Sequence, residues 1–287
     1  MSPLPKGSKR TNYVRAAATR DVKLFCGWDY LLDLVNQTDR ILERIIAGDL
    51  KPVTPPAYNE FSSPMHKACF ATFFLTGARA REILGDDERN PPSPPLLVTN
   101  FRLDLDPSVV FVVDMPLLKR WKKVDWEIVT SPEVPDDVPP AHRKLWHYDK
   151  ERKVYVKKKF VTEIVPETRT FFFRRDEPLV PYLLEWLEIC KKLGRSKLFD
   201  GNYYYWYWFF RQFDCMREKY GTRVTWRHIY PHWFRAQRAS QLAVDYGLDL
   251  HEIADWGSWK SLEVVREYVG TAGSIRKKML SAKPPWS

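Results

Sequence analysis

Apolar residues in this chain follow two spacings, and the two are segregated along it. Helix-spaced stripes occupy both flanks, and β-rich runs bounded by Pro, Asn and Asp occupy the middle. The first stripe runs from about Trp28 to Ile46, where Leu31, Leu32, Val35, Ile41, Leu42, Ile45 and Ile46 recur about once per helical turn. Gly48 and the Pro-rich stretch Lys51 to Pro56 end it and mark a candidate domain boundary. Ser63-Pro64 reads as the N-cap and first position of a second helix reaching Leu75, which Thr76-Gly77 closes. A short helix beginning at Ala78 carries Arg79, Glu82, Ile83 and Leu84. Leu96 to Val98 and Val109 to Val113 read as strands, Val124 to Lys153 as a polar insertion or extended hairpin, and Lys153 to Val165 and Arg169 to Phe173 as further strands. Helices resume at Pro181 to Leu193, Tyr203 to about Lys219, Pro231 to Gly247, Leu250 to Asp255, and Ser261 to Val269 with Ser261 as N-cap. Helices, then a small sheet, then helices again predict a mostly helical α+β protein with one small antiparallel sheet.

Composition narrows the class further. The 287 residues are 44% hydrophobic, enough to bury a core that offsets the ordering entropy and excludes a wholly disordered chain. No apolar run approaches the roughly 18 residues a membrane span needs, and Met1 to Lys9 lacks the apolar stretch of a secretory signal. Both point to a cytoplasmic protein. Cys26, Cys69, Cys190 and Cys215 lie far apart, with no CxxC pair and no His at ligand spacing, which argues for buried reduced thiols and against a zinc site. Lys and Arg number 46 against 36 Asp and Glu, a net charge of +10. Such a chain meets nucleic acid, anionic membrane surface or acidic substrates, and charge alone does not choose among them.

An ordered set of residues does choose. Thr76-Gly77-Ala78-Arg79-Ala80-Arg81-Glu82 is followed far downstream by Pro231-His232-Trp233-Phe234-Arg235, then by Trp256-Gly257-Ser258-Trp259, and finally by Arg266-Glu267-Tyr268. Tyr268 stands nine residues after Trp259, and Trp259 twenty-four after Arg235. In order and spacing these resemble the catalytic domain of the tyrosine recombinase (phage-type integrase) family, over roughly Ser63 to Tyr268. The Arg235-Ala236-Gln237-Arg238 run and a Trp at position 259 are most similar to archaeal, mobile-element members. Singly, each of these residues has an ordinary structural reading: a surface Arg beside a turn, or a half-buried helix Tyr.

The resemblance implies DNA strand cleavage and transesterification. Arg79 and Arg235 would hold the nonbridging phosphate oxygens with forked, permanently charged donors. His232, one helical turn before Arg235, would serve as general base or hydrogen-bond donor, and the Trp259 indole as donor only. Tyr268 would be the nucleophile, leaving a 3′-phosphotyrosine and a free 5′ hydroxyl. The covalent link conserves the phosphodiester energy, so neither a metal, ATP nor any other cofactor is implied. The family's general acid is a Lys in a β-hairpin turn after the first Arg. Lys119 is the choice here, with Lys122 and Lys123 as close rivals and Lys157 to Lys159 further ones. Glu82, one turn after Arg79, would either orient that guanidinium or form a solvated i,i+3 pair with it, while Arg81 and Arg238 fit phosphate contacts or the surface better than catalysis.

The implied partner is double-stranded DNA at an attachment or recombination site, bound by a homotetramer. By the same resemblance, residues 1–60 would be a basic segment with one helix, an abbreviated or truncated DNA-binding region. Residues 61–287 would form the catalytic domain, with a tail after Tyr268 whose Ile275, Met279 and Leu280 make a weak apolar stripe. The basic runs Lys119-Arg120-Lys122-Lys123, Lys157 to Lys159 and Arg174-Arg175 would track the DNA backbone or face solvent. The aromatic block Tyr203 to Phe210 reads as core packing ahead of base stacking. Beside a site-specific recombinase or integrase stand a type IB topoisomerase-like or hairpin-forming resolvase, and a non-catalytic DNA-binding relative.

Overall fold

A computed structural model describes residues 25–52, 54–86, 93–121, 126–136, 138, 143, 146–160, 166–224, 226–259 and 262–269; within these, the side chains of 118–121, 126–128, 158–160, 166–167, 222 and 267–269 lie outside the description. The fold is α+β, as the segregated spacings predict. Its described residues form two compact units, one from Met1–Met115 with Thr170–Ser287 and one from Pro116–Arg169. No helix among the described residues is long and apolar enough to cross a membrane.

The larger unit is built around one helix. Helix α1 (Trp28–Ile46) is amphipathic and buries Tyr30, Leu31, Leu34, Val35, Thr38, Ile41, Leu42 and Ile45. Helix α2 (Ser62–Thr76) is buried on all sides, with Phe70, Phe73, Phe74 and Leu75 fully enclosed. Each such side chain contributes about 1.5–3 kcal/mol on leaving water. Helix α2 packs against α1, α4 (Val180–Lys192) and α7 (Pro231–Asp245). Its C-cap is Gly77 at φ 53°, the left-handed turn expected of Thr76-Gly77. Short helix α3 (Ala80–Leu84) follows, two residues later than the sequence predicts, because Arg79 is extended and serves as its N-cap. Ser63 is not the N-cap of α2: the helix begins at Ser62, and the Ser63 hydroxyl donates to Asp39 of α1 instead.

Strands β1 (Phe101–Arg102), β2 (Val109–Trp121) and β6 (Pro166–Arg174) form one sheet in the order β1-β2-β6, with β1 antiparallel to β2 and Phe101 opposite Val112. Alternation along it turns Val110, Val112, Phe171 and Phe173 inward and leaves Phe172 exposed. Leu96 to Val98 is not a strand. Leu97 makes a single bridge to Lys197, and the Asn100 side chain accepts the Leu97 N–H at 2.7 Å, which curls Val98–Asn100 into a 3-10 turn.

The smaller unit holds a second sheet where the sequence predicts an insertion or hairpin. Strands β3 (Trp126–Ser131), β4 (His147–Asp149) and β5 (Val154–Phe160) are antiparallel, with β5 central, Ser131 opposite Tyr155 and His147 opposite Val156. The Tyr148 and Tyr155 rings meet across it at 5.1 Å.

In the larger unit, α5 (Tyr203–Phe210) ends earlier than its composition suggests. Gln37 of α1 bonds both the N–H and the carbonyl of Asp214, and the Asp214 carboxylate accepts the Met216 N–H. The backbone is thereby drawn out of the helix before a single turn, α6 (Arg217–Tyr220). Helices α8 (Leu250–Gly257) and α9 (Leu262–Val269) complete the unit, both packing on α7. The capping position expected at Ser261 lies outside the described residues.

Candidate functional site

Helix α7 begins with Pro231 at its first position, preceded by extended Tyr230. His232 in the first turn is exposed, and Arg235 one turn on is buried. The Arg235 Nη1 donates to the Gly77 carbonyl at 2.6 Å. That carbonyl belongs to the C-terminal end of α2, where unpaired oxygens and the helix dipole favour a cation. The Arg235 guanidinium lies 4.3 Å from the ring centroid of Trp259, a cation–π contact.

Two residues beyond Gly77 stands Arg79, whose side chain is 30% exposed. Its Nη1 meets Glu82 Oε1 at 2.7 Å, while the other Glu82 oxygen accepts the Arg79 backbone N–H at 2.8 Å. The Glu82 carboxylate is buried, so one acid fixes both the backbone and the guanidinium of Arg79. Gly77 holds the turn open: it has positive φ, and a Cβ there would meet Arg238 Cβ and Cγ at 3.4 Å.

Trp259 is set by the end of α8. Ser258 is left-handed at φ 49°, and the Trp259 N–H returns to the Ala254 carbonyl at 2.8 Å. The indole then lies flat on Gly257, where a Cβ would come within 2.5 Å of ring atoms Cε3 and Cζ3. Helix α9 is anchored by Val265, buried with Ala236, Ala239 and Leu242 of α7. Tyr268 follows three residues later on α9; its side chain lies outside the described residues.

A second Arg–Trp pair runs one turn along, between Arg238 and Trp256 at 5.1 Å. Arg238 is 1% exposed, and its Nη1 and Nη2 reach the two Glu177 oxygens at 2.5 and 3.0 Å. Glu177 also accepts from Tyr246 at 2.8 Å; burial, with that carboxylate's charge behind it, pushes the Tyr246 hydroxyl well above its ordinary pKa. The phosphate-contact or surface role expected of Arg238 is therefore overturned, because its charge is enclosed and neutralised inside the fold. A pair of this kind is costly to break, about 3–5 kcal/mol when one partner is removed. Arg81, half exposed and 3.1 Å from Asp86, is a surface residue.

The lysines fall elsewhere. Lys119 lies on β2 in the portion belonging to the smaller unit, and its side chain is outside the described residues, as are those of Lys158 and Lys159 on β5. Lys122 and Lys123 lie wholly outside them. The Lys157 ammonium sits 5.9 Å from the Trp146 ring centroid. All four cysteines are free and buried, and burial pushes the Cys190 thiol up to about 11. Among the described residues no group of three or more His, Cys, Asp or Glu could hold a metal ion.

The sequence reading passed over His66. It is fully buried in the first turns of α2, with Nδ1 2.6 Å from the Ser62 carbonyl and Nε2 2.6 Å from the Tyr205 hydroxyl. Burial lowers its pKa to about 4. The neutral ring donates from Nδ1, since a carbonyl can only accept, and therefore accepts at Nε2 from Tyr205. A His between Met65 and Lys67 at the head of an apolar helix was the available signal. Glu177 was also missed, and no spacing marks it; Trp256 stands in the ordered set, but nothing in the sequence pairs it with Arg238.

No family model matches the chain, and no curated protein matches it. Among solved structures it is similar to the XerH site-specific recombinase bound to palindromic difH substrate in a post-cleavage complex, with a TM-score of 0.47 at 12% identity over 91% of this chain and 53% of that one. It is also similar to XerH bound to difH substrate in a pre-cleavage complex, with a TM-score of 0.45 at 14% identity over 91% and 54%. The chain thus spans about half the length of these structures.

Proposed function

We propose that this protein is a site-specific DNA recombinase or integrase that cuts and rejoins strands through a 3′-phosphotyrosyl intermediate. One observation carries the reading: Arg235 joins the turn that carries Arg79 to the indole of Trp259, so three of the ordered sequence positions meet around one guanidinium. Three converging segments suit a site that grips a tetrahedral anion.

In this reading the Tyr268 oxygen attacks phosphorus, its proton passing to His232 or to water, and the bond from phosphorus to the 5′ oxygen breaks. Arg79 and Arg235 take the charge that grows on the nonbridging oxygens, and the Trp259 N–H adds a donor. A lysine, Lys119 by preference, protonates the departing 5′ oxygen. Rejoining reverses these steps with a 5′ hydroxyl from the partner duplex, within a tetramer that holds two duplexes. Phosphotyrosine formation exchanges one ester for another, so this route calls on no ATP and no metal.

The test is covalent capture. Nicked suicide duplexes with a randomised core, incubated with the protein, are expected to yield a denaturation-resistant adduct with wild type and none with Tyr268→Phe. Arg79→Lys keeps the charge but loses the fork, and should slow adduct formation about 10²–10³-fold. Absence of any adduct across the pool would leave a DNA-binding protein without this chemistry. Relaxation of supercoils without strand exchange between duplexes would favour the topoisomerase-like alternative.

A further inference from the structure

The aromatic helix α5 has two faces, and folding accounts for only one. Tyr205, Trp206, Phe209 and Phe210 are buried against the core. Tyr203 is half-buried and packs against the core, while Tyr204 and Tyr207 turn outward, 62% and 36% exposed. An amphipathic helix ordinarily carries polar groups there.

These three rings are ordered among themselves and ringed by cations. Tyr203 and Tyr207 lie 5.9 Å apart at 29°, close to parallel, and Tyr204 meets Tyr203 edge-on at 5.6 Å. Arg81 stands 5.7 Å from the Tyr203 ring centroid and Arg211 5.9 Å from that of Tyr207. Beside them opens a cleft of about 210 Å³, lined in part by Arg81, Asp86, Lys197, Asn202, Tyr203 and Tyr204. Asp86 holds part of the Arg81 charge, but Lys197 and Arg211 make no ion pair among the described residues.

Flat aromatic faces beside unneutralised cations complement a ligand that is itself flat and anionic. Exposed rings offer stacking that any base accepts, and the cations offer sites for the phosphates between bases. Duplex DNA hides its base faces, so the complementary ligand is single-stranded. We infer that Tyr203, Tyr204 and Tyr207 form a stacking platform for unpaired bases of a single-stranded nucleic acid, with Lys197 and Arg211 on its backbone. Helix α3 links this platform to the site above, since Arg79 caps the helix that carries Arg81 and α3 packs on α5. The inference deepens the strand-exchange reading by naming where a freed strand rests, but it does not depend on Tyr268 chemistry.

Fluorescence anisotropy with a labelled oligothymidylate of about 12 nucleotides, and with an abasic oligomer of equal length and charge, separates stacking from charge. Wild type should bind the oligothymidylate about tenfold more tightly than the abasic strand. Tyr204→Ala and Tyr207→Ala should each erase most of that difference, Tyr204→Trp should keep it, and the helical circular dichroism of every variant should match wild type. Lys197→Ala should weaken both strands and flatten the salt dependence. Equal binding of the two strands by wild type would overturn the proposal, and so would unchanged discrimination in the Tyr204→Ala, Tyr207→Ala double variant. An affinity for a protein partner would leave the two strands bound alike and would count against it. Tyr268→Phe should bind the oligothymidylate as wild type does, so a failure here and a failure of the covalent adduct report on separate claims.

Discussion

Gly257 has no room for a side chain, and the reason lies in Trp259. The indole occupies the space a Cβ would need, with ring atoms 2.5 Å from it, and it also supplies the face on which Arg235 rests at 4.3 Å. A methyl group at 257 must therefore lift the ring and leave the guanidinium without that contact. Gly257→Ala is expected to destabilise the fold by about 1–3 kcal/mol, the usual cost of overpacking a well-filled site. It should also slow any covalent adduct at least about tenfold, the equivalent of about 1.4 kcal/mol in the barrier. With fluorotryptophan incorporated, the fluorine resonance identified by Trp259→Phe should shift in Gly257→Ala while those of Trp186 and Trp206, buried elsewhere, hold still. An unmoved Trp259 signal with wild-type stability would show that the ring does not rest on Gly257. At this scale the sequence was legible where a residue's role follows from its neighbours along the chain, as Gly77 at a helix end or Glu82 one turn from Arg79. It was not legible for Arg238, because the Glu177 that neutralises it is 61 residues away.

Helix α2 shows what an element adds to its residues. Nearly every position in it is enclosed, yet His66 keeps both ring nitrogens bonded by reaching its own Ser62 carbonyl and, across the core, Tyr205 of α5. An unfolded histidine takes up a proton near pH 6.5, whereas buried His66 does so only near 4. Between those values the unfolded chain holds the extra proton, so stability is fully present above pH 6.5 and is lost as pH falls toward 4. The whole effect is about 3 kcal/mol. Urea unfolding at pH 7 and pH 4.5 should therefore show wild type losing about 2–3 kcal/mol more than His66→Gln, whose amide can hold the same partners without titrating. Equal losses would mean that His66 is protonated in the folded protein. The elements themselves were mostly legible, since α1, α4 and α7 carry their own apolar stripes and start signals. The exceptions were set by distant groups: Gln37 of α1 helps stop α5, and Asn100 curls what reads as a strand at Leu97.

At the scale of the whole molecule, the chain leaves the larger unit at Met115 and returns to it at Thr170. The excursion is a sheet of its own, β3-β5-β4, of which the sequence shows the β-rich run of β5 but only a polar insertion or extended hairpin for β3 and β4. That explains why the order of Arg79, His232, Arg235, Trp259 and Tyr268 could be read while the lysine could not. The five sit on or beside helices with their own periodicity and caps, but every lysine weighed as general acid, from Lys119 to Lys159, falls inside Pro116–Arg169. The division gives a direct test. Strands β2 and β6 are neighbours in the larger unit's sheet, so a short Gly-Ser turn joining Met115 to Thr170 asks for a local closure only. Loop closure costs little extra at such lengths, and the core around α2 lies wholly in the retained segments. The shortened chain is expected to fold with its helical circular dichroism intact. If one of these lysines is the general acid proposed above, the shortened chain should form no adduct on ordinary nicked duplexes, because the leaving 5′ oxygen then lacks its proton donor. A duplex with sulfur in the bridging 5′ position should restore the adduct, since a thiolate departs unprotonated. Adduct formation on ordinary DNA would move the acid out of residues 116–169, and failure of the sulfur substrate would mean that the smaller unit does more than protonate.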